Sequence, residues 1–389
     1  MSASVLICPY TKQTWGHLTR CFALADALVA LGHHVRFGCA PEARPHVEGA
    51  GFKLVELDVM DRQELLLPPR SARAAAAARR WIAGELRAVR ACLRATAPDV
   101  VVADLQPLVN VAAALDAIPS ASILNLELLA SPLAWWLPGL ERILGGLEVP
   151  RWAARRVFGD SLVIADTASA TGLRDLPAPL SARIVDSVGE IRFVGPILGA
   201  LPRRTPIARR VRPEVVVSLG GGRSAGAGAA AVIAGCAAVD ADFVVVAPES
   251  SDELERAADE RRRSGGHVTI VDFLPEFARR IAEADALISH GGHGTLSLAL
   301  ALAVPTLVVP GSVEQEINAK RLHGLGTVAS PNPGAIRATV GDQLAALLAD
   351  RASDPARARL AASLATYDGA RDAALVVHRL AQGAPAEGS

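Results

Sequence analysis

The chain has 389 residues, of which 51% are hydrophobic and only 4% aromatic, and its forty basic residues balance forty acidic ones. This length exceeds that of one ordinary domain, so we expect two domains that each bury a core of their own. The lack of net charge argues against a nucleic-acid partner and against an anionic membrane surface. Five cysteines without a Cys-x-x-Cys spacing favour reduced thiols in the cytoplasm and indicate no metal cluster.

The apolar segments argue against export and against membrane insertion. A strand is predicted within four residues of Met1 without a charged leader, so we expect no signal peptide. The most apolar stretch, residues 296–310, contains Pro305 and is shorter than the roughly 18 to 20 residues that span a bilayer. We therefore expect a cytoplasmic protein without a membrane span.

Strands and helices alternate in the first half of the chain. After a strand over residues 4–8, apolar residues recur at helical spacing from Leu18 to Leu31, and the helix stops at Gly32. Further strands are predicted over residues 35–37, 53–55, 100–103 and 162–165. The alternation is typical of a Rossmann-like parallel sheet.

Two polar residues in this half follow predicted strands. His17 comes after the first strand at the start of the predicted helix, and Asp104 comes directly after the strand over residues 100–103. Histidine titrates near neutral pH, which suits a general base, and a carboxylate partner holds its tautomer and stabilises the imidazolium. Alternatively, His17 is a helix-terminal residue without chemistry, and Asp104 caps the next helix. Taken alone, these residues leave both interpretations open.

A second alternation begins after a segment rich in Pro, Gly and Arg, which ends at Pro213 and has the composition of a linker. A strand over residues 215–219 leads into the turn Gly220-Gly221-Gly222. Further strands are predicted over residues 242–247, 268–274, 286–288 and 306–309, and helices over 275–282, 335–348 and 356–380. We therefore expect a second Rossmann-like domain.

Residues 288–326 carry the most specific pattern. A buried strand ends at His290, and a turn containing Gly291, Gly292 and Gly294 follows. We predict Thr295 as the N-cap of the next helix, which leaves the N–H groups of residues 296–298 exposed as donors for a diphosphate. The next strand leads through a Pro-Gly turn to Glu314 and Gln315. Loops at the carboxyl ends of neighbouring strands face one crevice, which is where open α/β sheets bind ligands.

The order His-Gly-Gly-x-Gly-Thr, Ala-Val-Pro, Glu-Gln, Asn-Ala-x-Arg and Leu-Gly in this segment resembles the donor signature of family 1 glycosyltransferases, in particular the bacterial natural-product and macrolide glycosyltransferases. The resemblance implies the GT-B fold, in which two Rossmann-like, doubly wound parallel-sheet α/β domains face each other across a cleft. It implies an acceptor-binding domain over residues 1–200, a linker over 201–212 and a donor-binding domain over 213–370. A final segment, 371–389, then contains a helix that returns to the first domain and a disordered tail.

The resemblance assigns roles to individual residues of the donor domain. His290 is expected to contact the diphosphate, the turn amides cradle it, and the pair Glu314 and Gln315 bonds the sugar hydroxyls. Phe273 either stacks on the nucleobase or belongs to the core. The expected donor-binding residues are Gly220, Gly221, Phe273, Leu274, His290, Gly292, Gly294, Thr295, Glu314 and Gln315. In contrast, Asn318 and Arg321 are expected to be packing or capping residues of the following helix.

The segment after the first strand resembles the amino-terminal motif of the same family, in which Gly-His carries the general base. The resemblance implies that His17 is catalytic and that Asp104 is its partner. Thr19-Arg20-Cys21 departs from the family pattern, which has Asn-Pro there. Leu298 departs as well, because relatives carry a glutamate that binds the donor ribose at that position. Relaxed ribose recognition, a deoxythymidine donor, another contact such as Glu276, or decayed donor use would each account for Leu298.

The acceptor site is expected around Trp135 and Trp136, which lie among aliphatic residues in the segment 126–147. This segment is either an ordinary loop and helix or an apolar pocket for an aromatic or polyketide acceptor. Asp240-Ala241-Asp242 matches a metal-binding pattern of another glycosyltransferase fold, but its place before a strand favours a solvated segment. We therefore expect no metal site.

The resemblance implies an inverting enzyme of the hexosyltransferase type (EC 2.4). It moves a sugar from a UDP-sugar or dTDP-sugar donor to a hydroxyl of a hydrophobic small-molecule natural product. Helix amides and His290 stabilise the leaving diphosphate, so no metal or other cofactor is expected. Gly-His-x-x-Arg-Cys also resembles nucleotide-sugar hydrolases of the GT-B fold. A catalytically silent, donor-binding partner of another glycosyltransferase is the third interpretation. The partners expected are the donor and the acceptor, with neither nucleic acid nor membrane, in a monomer or a homodimer.

Overall fold

The computed structural model describes residues 2–11, 16–57, 72–125, 156, 158–165, 190–202, 210–220, 223–274, 276–311, 313–324, 328–329, 336–349 and 355–383. The chain forms two compact units. The first contains Met1–Lys12, His17–Gly199 and Asp368–Ser389, and the second contains Gln13–Gly16 and Ala200–Tyr367.

The first unit is built on a parallel sheet in the order β3-β2-β1-β4-β5-β6-β7. Chain order reverses at β1, which pairs with β2 on one side and with β4 on the other, as in doubly wound folds. Its strands are β1 Ser4–Pro9, β2 His34–Cys39, β3 Lys53–Glu56, β4 Val100–Asp104, β5 Ser120–Leu124, β6 Ser161–Ile164 and β7 Glu190–Phe193.

The second unit is built on another parallel sheet, in the order β10-β9-β8-β11-β12-β13. Its reversal lies between β8 and β11, which pair with each other. The strands are β8 Glu214–Ser218, β9 Asp242–Val246, β10 His267–Val271, β11 Ala286–Ser289, β12 Thr306–Val308 and β13 Val328–Ala329. The predicted α/β fold class with two parallel sheets is confirmed.

Helices connect the strands within the described part of the chain. In the first unit they are α1 Gly16–Ala30, α2 Arg44–Gly49, α3 Ala72–Thr96 and α4 Pro107–Leu115, with a short 3-10 turn at Pro41–Ala43. They continue with α5 Arg223–Gly235, α6 Asp252–Arg263, α7 Phe277–Glu283, α8 His293–Ala301, α9 Val313–Gly324, α10 Ile336–Ala349, α11 Pro355–Leu364 and α12 Gly369–Ala381. None of the helices in these ranges is long and apolar enough to cross a membrane.

The central strands are covered on both faces and therefore consist of continuous apolar runs. All five residues of β4 are buried, including its terminal Asp104. Phe37 of β2 is fully buried and lies 5.3 Å, between ring centroids, from both Phe22 and Phe52. The core of the first unit therefore includes β4, the strand that ends at the candidate residue Asp104.

The last helix, α12, packs on the sheet of the first unit. Ala373, Ala374 and Val377 belong to the buried cluster that contains β1 residues. Arg379 Nη2 donates to the buried carboxylate of Glu190 on β7 at 2.6 Å. Residues far apart in the chain therefore share this core. The predicted boundaries of the two domains and of the linker stay predictions.

Candidate functional site

The carboxyl ends of β4 and β5 hold a cluster of polar side chains in the first unit. Asp104 is the last residue of β4 and is fully buried, and Asn125 directly follows β5 and is 3% exposed. The first turn of α1 brings His17 to the same edge of the sheet. Its Nδ1 lies 3.0 Å from Oδ1 of Asp104, and its side chain is 14% exposed. The structure thus brings together His17 and Asp104, the two residues that the sequence predicted to be catalytic.

Arg20, for which the sequence predicted no role, completes this cluster. Its Nε donates to Oδ2 of Asp104 at 2.6 Å, and its Nη2 donates to Oδ1 of the same carboxylate. Its Nη1 donates to Oδ1 of Asn125. Positions three apart share one helix face, so the spacing of His17 and Arg20 was the available signal.

The ionisation of Asp104 reflects these contacts. Burial by itself raises the pKa of its carboxyl, but the charges of Arg20 and then His17, together with their hydrogen bonds, outweigh burial. The pKa therefore lies well below its usual range, and Asp104 is a carboxylate throughout the physiological range. When Nδ1 of the neutral imidazole carries the ring proton, the carboxylate accepts it, and Nε2 is the basic atom.

The backbone directly after Asp104 is strained. Leu105 has φ +56°, in the left-handed region that side-chain-bearing residues rarely adopt, and α4 begins two residues later at Pro107. Such a conformation at a non-glycine residue costs of the order of 1 kcal/mol or more. The left-handed backbone of Leu105 therefore costs local stability and turns the chain from β4 toward α4.

The second candidate site follows β11 in the second unit. His290 comes directly after the strand, Gly291 has φ +91°, and Gly292 is the N-cap of α8. The prediction of Thr295 as N-cap is wrong, because α8 begins at His293 and Leu296 N–H already bonds to Gly292 O at 3.0 Å. N–H groups in the first turn, including those of Gly294 and Thr295, are the ones without a partner inside a helix. The N–H groups at the amino-terminal end of α8 therefore lie earlier than the predicted residues 296–298.

Two polar side chains form hydrogen bonds to the backbone of this glycine turn. Gly291 N–H donates to Oγ of Ser289 at 3.2 Å, and Nδ2 of Asn318 donates to Gly291 O at 3.1 Å. Asn318 lies on α9 and is 2% exposed. Asn318 was expected to be a packing or capping residue of its own helix, whereas its side chain bonds to the glycine turn.

The imidazole ring of His290 lies close to Gly220 and Gly292, which have no side chain to occupy the space that the ring takes. A Cβ at Gly220 would lie 3.7 Å from the imidazole, and one at Gly292 would clash with Nε2. Nδ1 of His290 lies 3.3 Å from the carbonyl oxygen of Ser218. Because a carbonyl only accepts, Nδ1 carries the proton in that contact. The structure therefore groups three expected donor residues, Gly220, His290 and Gly292.

The other expected site residues differ in exposure and in how far the structure describes them. Phe273 is 68% exposed, which excludes the core alternative, whereas Leu274 is buried. Oε1 of Gln315 accepts from Gly311 N–H at 2.8 Å. Leu298 is 8% exposed and lies within α8. Gly221, Trp135 and Trp136 lie outside the described residues, and the same holds for the side chain of Glu314 on α9.

Comparison with known proteins supports the relationship that the motifs indicate. Residues 230–377 match the family described as Erythromycin biosynthesis protein CIII-like, C-terminal domain. The zeaxanthin glucosyltransferase of Pseudescherichia vulneris is 37% identical over 117 residues, a match that spans 30% of this chain but only 27% of that protein. The L-demethylnoviosyl transferase of Streptomyces niveus is 28% identical over 347 residues, which are 80% of this chain and 81% of that one.

A solved structure extends the similarity over nearly the whole chain. The glycosyltransferase SnogD from Streptomyces nogalater has a TM-score of 0.65 and 25% identity, over 98% of this chain and 99% of that one. The two sheets and these matches define the chain as a glycosyltransferase of the GT-B fold. Residues 230–377 resemble an EryCIII-like C-terminal domain, and the relative and the solved structure that match most of the chain are glycosyltransferases. The predicted enzyme class is confirmed.

Proposed function

We propose that the protein transfers a sugar from a UDP or dTDP donor to a hydroxyl of a hydrophobic natural product, with inversion at the anomeric carbon and with His17 as general base. The observation that carries this proposal is the 3.0 Å contact between Nδ1 of His17 and the buried carboxylate of Asp104. A buried anion on Nδ1 leaves Nε2 as the atom that takes the acceptor proton.

In this proposal the acceptor oxygen attacks the anomeric carbon as its proton passes to Nε2 of His17. The bond between that carbon and the diphosphate oxygen breaks, and negative charge grows on the leaving diphosphate. The first turn of α8 supplies backbone N–H groups for this charge, because the amino-terminal end of a helix carries partial positive charge. We further propose that His290 and Gln315 contribute to donor binding, along with Glu314.

We also propose that neither a metal nor another cofactor takes part. In this proposal, backbone N–H donors and the imidazole of His290 stabilise the leaving group in place of a divalent ion. Turnover should therefore be unchanged by EDTA. A loss that added Mg²⁺ restores would contradict this part of the proposal.

The acceptor is proposed to be an apolar small molecule that contacts Trp135 and Trp136. The L-demethylnoviosyl transferase is, by its name, a sugar transferase, and the match of residues 230–377 is to an erythromycin biosynthesis family. The protein is further proposed to act in the cytoplasm as a monomer or a homodimer.

One assay separates transfer from the two other interpretations. UDP-glucose and dTDP-glucose are each incubated with and without a panel of aromatic and macrolide alcohols, and the products are identified by mass spectrometry. A sugar conjugate supports transfer, free sugar without an acceptor means hydrolysis, and donor binding without either product means a silent partner.

The role of His17 is tested by replacement. His17→Ala should lower turnover by roughly 10²- to 10⁴-fold while donor affinity stays close to that of the wild type, because a positioned base contributes in the transition state. His34→Ala is the matched control, since His34 is exposed at the start of β2. Near-normal turnover of a folded His17→Ala variant would refute the assignment.

A further inference from the structure

The proposed base shares its carboxylate partner with a buried cation. Arg20 lies one helical turn after His17 and is 6% exposed. Its Nε and Nη2 bind the two carboxylate oxygens of Asp104, which is the bidentate geometry that arginine favours. His17 therefore faces an ion pair, where a simple dyad has only a carboxylate.

The guanidinium is held from a second strand end as well. Its Nη1 donates to Oδ1 of Asn125, which directly follows β5 and is buried. Because β4 and β5 are hydrogen-bonded neighbours, Asp104 and Asn125 restrain Arg20 from two fixed points. The plane of the guanidinium, and with it the orientation of the carboxylate, is set by the sheet.

This arrangement changes what the imidazole experiences when it takes a proton. Asp104 attracts the imidazolium, whereas Nη2 of Arg20, 3.0 Å from Nδ1, repels it. A nearby anion raises the proton affinity of an imidazole and a nearby cation lowers it. An ion pair therefore holds a proton on His17 less tightly than an isolated carboxylate does.

Two further titratable groups face this cluster among the described residues. The ring of Tyr10, which follows β1, lies 5.9 Å from the imidazole, and Sγ of Cys21 donates to Oδ2 of Asp104 at 3.4 Å. Burial, followed by the negative charge of Asp104, raises the pKa of the Cys21 thiol. A tyrosine hydroxyl is also ordinarily neutral near pH 7. The charged side chains in direct contact with His17 in the hydrogen bonds described here are those of Asp104 and Arg20.

We propose that Arg20 is a positioning residue that orients the carboxylate of Asp104 toward His17 and offsets the negative charge that the imidazole faces. The inference rests on the proposed function, because it concerns the residue proposed there as base. It concerns a physical property of the free protein, which is measurable without knowing the acceptor.

The test is an NMR titration of the full chain. The imidazole resonances of the nine histidines are followed from about pH 5 to about pH 9, and the spectrum of His17→Gln identifies the resonance of His17. In Arg20→Met the titration midpoint of His17 should rise by about 1 to 3 pH units, because the carboxylate then acts without its counter-charge. Arg20→Gln is a second neutral variant that retains an amide donor.

Two controls separate charge from packing. Arg20→Lys keeps the cation but loses the bidentate fork, so it should shift the midpoint far less than Arg20→Met. Arg44→Met makes the same change at an exposed arginine of α2 and should leave the midpoint unchanged. An unchanged midpoint in folded Arg20→Met and Arg20→Gln overturns the proposal.

The outcome is distinguishable from failure of the proposed function. If the midpoint rises in both neutral variants while His17→Ala retains turnover, Arg20 acts on His17 as inferred and only the assignment of the base is lost. If His17→Ala loses turnover and the midpoint does not move, the proposed function stands and the role of Arg20 falls.

Discussion

The side-chain amide of Asn318 donates a hydrogen bond to the carbonyl oxygen of Gly291 at 3.1 Å. Gly291 has φ +91°, and a Cβ there would lie 2.8 Å from Cγ1 of Val308, so this position requires glycine. The turn that precedes α8 is therefore supported from α9, and the direction of the first helical N–H groups depends on a residue outside the turn.

This contact predicts that Asn318→Ala weakens nucleoside diphosphate binding. Loss of the amide leaves a buried carbonyl without its donor and allows the turn to shift, so we expect a roughly 3- to 30-fold higher Kd for UDP or dTDP. Calorimetric titration measures it. Asn110→Ala is the control, because Asn110 is another buried amide, bonded to Ser122 in the first unit. Equal affinities in all three proteins would remove Asn318 from the binding machinery.

His290 should bind a diphosphate only as an imidazolium. Its Nδ1 proton is directed at Ser218 O, so Nε2 donates to a phosphate oxygen only after taking a second proton. We therefore expect product binding to be accompanied by proton uptake, measured by calorimetry in buffers of different ionisation enthalpy. A charged hydrogen bond is stronger than a neutral one, so His290→Ala should also weaken binding.

The control for His290 is His267→Ala, since His267 is exposed at the start of β10 in the same unit. The phosphate also titrates near neutral pH, so the informative quantity is the difference in proton uptake between the wild type and His290→Ala. No difference in uptake and an unchanged Kd would rule the assignment out.

Because residue 298 is a leucine, we expect the protein to recognise the 2′-hydroxyl of the donor ribose only weakly. The side chain of Leu298 is apolar and buried, and it has no atom that accepts a hydrogen bond from a ribose. We expect UDP and dTDP to bind with similar affinity. Recognition of the hydroxyl by a buried partner would instead amount to roughly 1 to 3 kcal/mol. A preference for UDP of tenfold or more, by titration of both diphosphates, would show that another residue reads the hydroxyl.

The ion pair of Asp104 and Arg20 should contribute to acid sensitivity. The folded pKa of Asp104 lies below its ordinary value of 3.8, so its stabilisation is complete above that value. As the pH falls further, the unfolded chain binds a proton that the folded chain does not, and stability declines. The difference in thermal midpoint between wild type and Asp104→Asn should therefore shrink as the pH falls from about 4 to about 2.

Asp26→Asn serves as the comparison for this acid series, because Asp26 is an exposed carboxylate on α1. Its difference from the wild type should stay nearly constant over the same range. A constant difference for Asp104→Asn as well would mean that the ion pair does not couple stability to pH.

The alternation of apolar strands and amphipathic helices was readable from the sequence because it depends on local periodicity. The strand over residues 4–8 and the strand over 100–103 each extend by only one residue in the structure, to Pro9 and to Asp104. The glycines after β11 were readable too, since a backbone that adopts φ +91° needs glycine. The start of α8 was misplaced because Gly292 and Thr295 are both acceptable N-caps, and only the backbone conformation decides between them.

The sequence by itself therefore determined two parallel α/β units, the helix start that carries His17, the strand end that carries His290, and the resemblance to glycosyltransferases. The tertiary structure alone decided the partners of those residues. Arg20 meets Asp104 across 84 positions of the chain and Asn125 across 105, and Asn318 meets Gly291 across 27. Such contacts follow from strand order and helix packing, which bring distant side chains to one edge of a sheet, and no local periodicity encodes them.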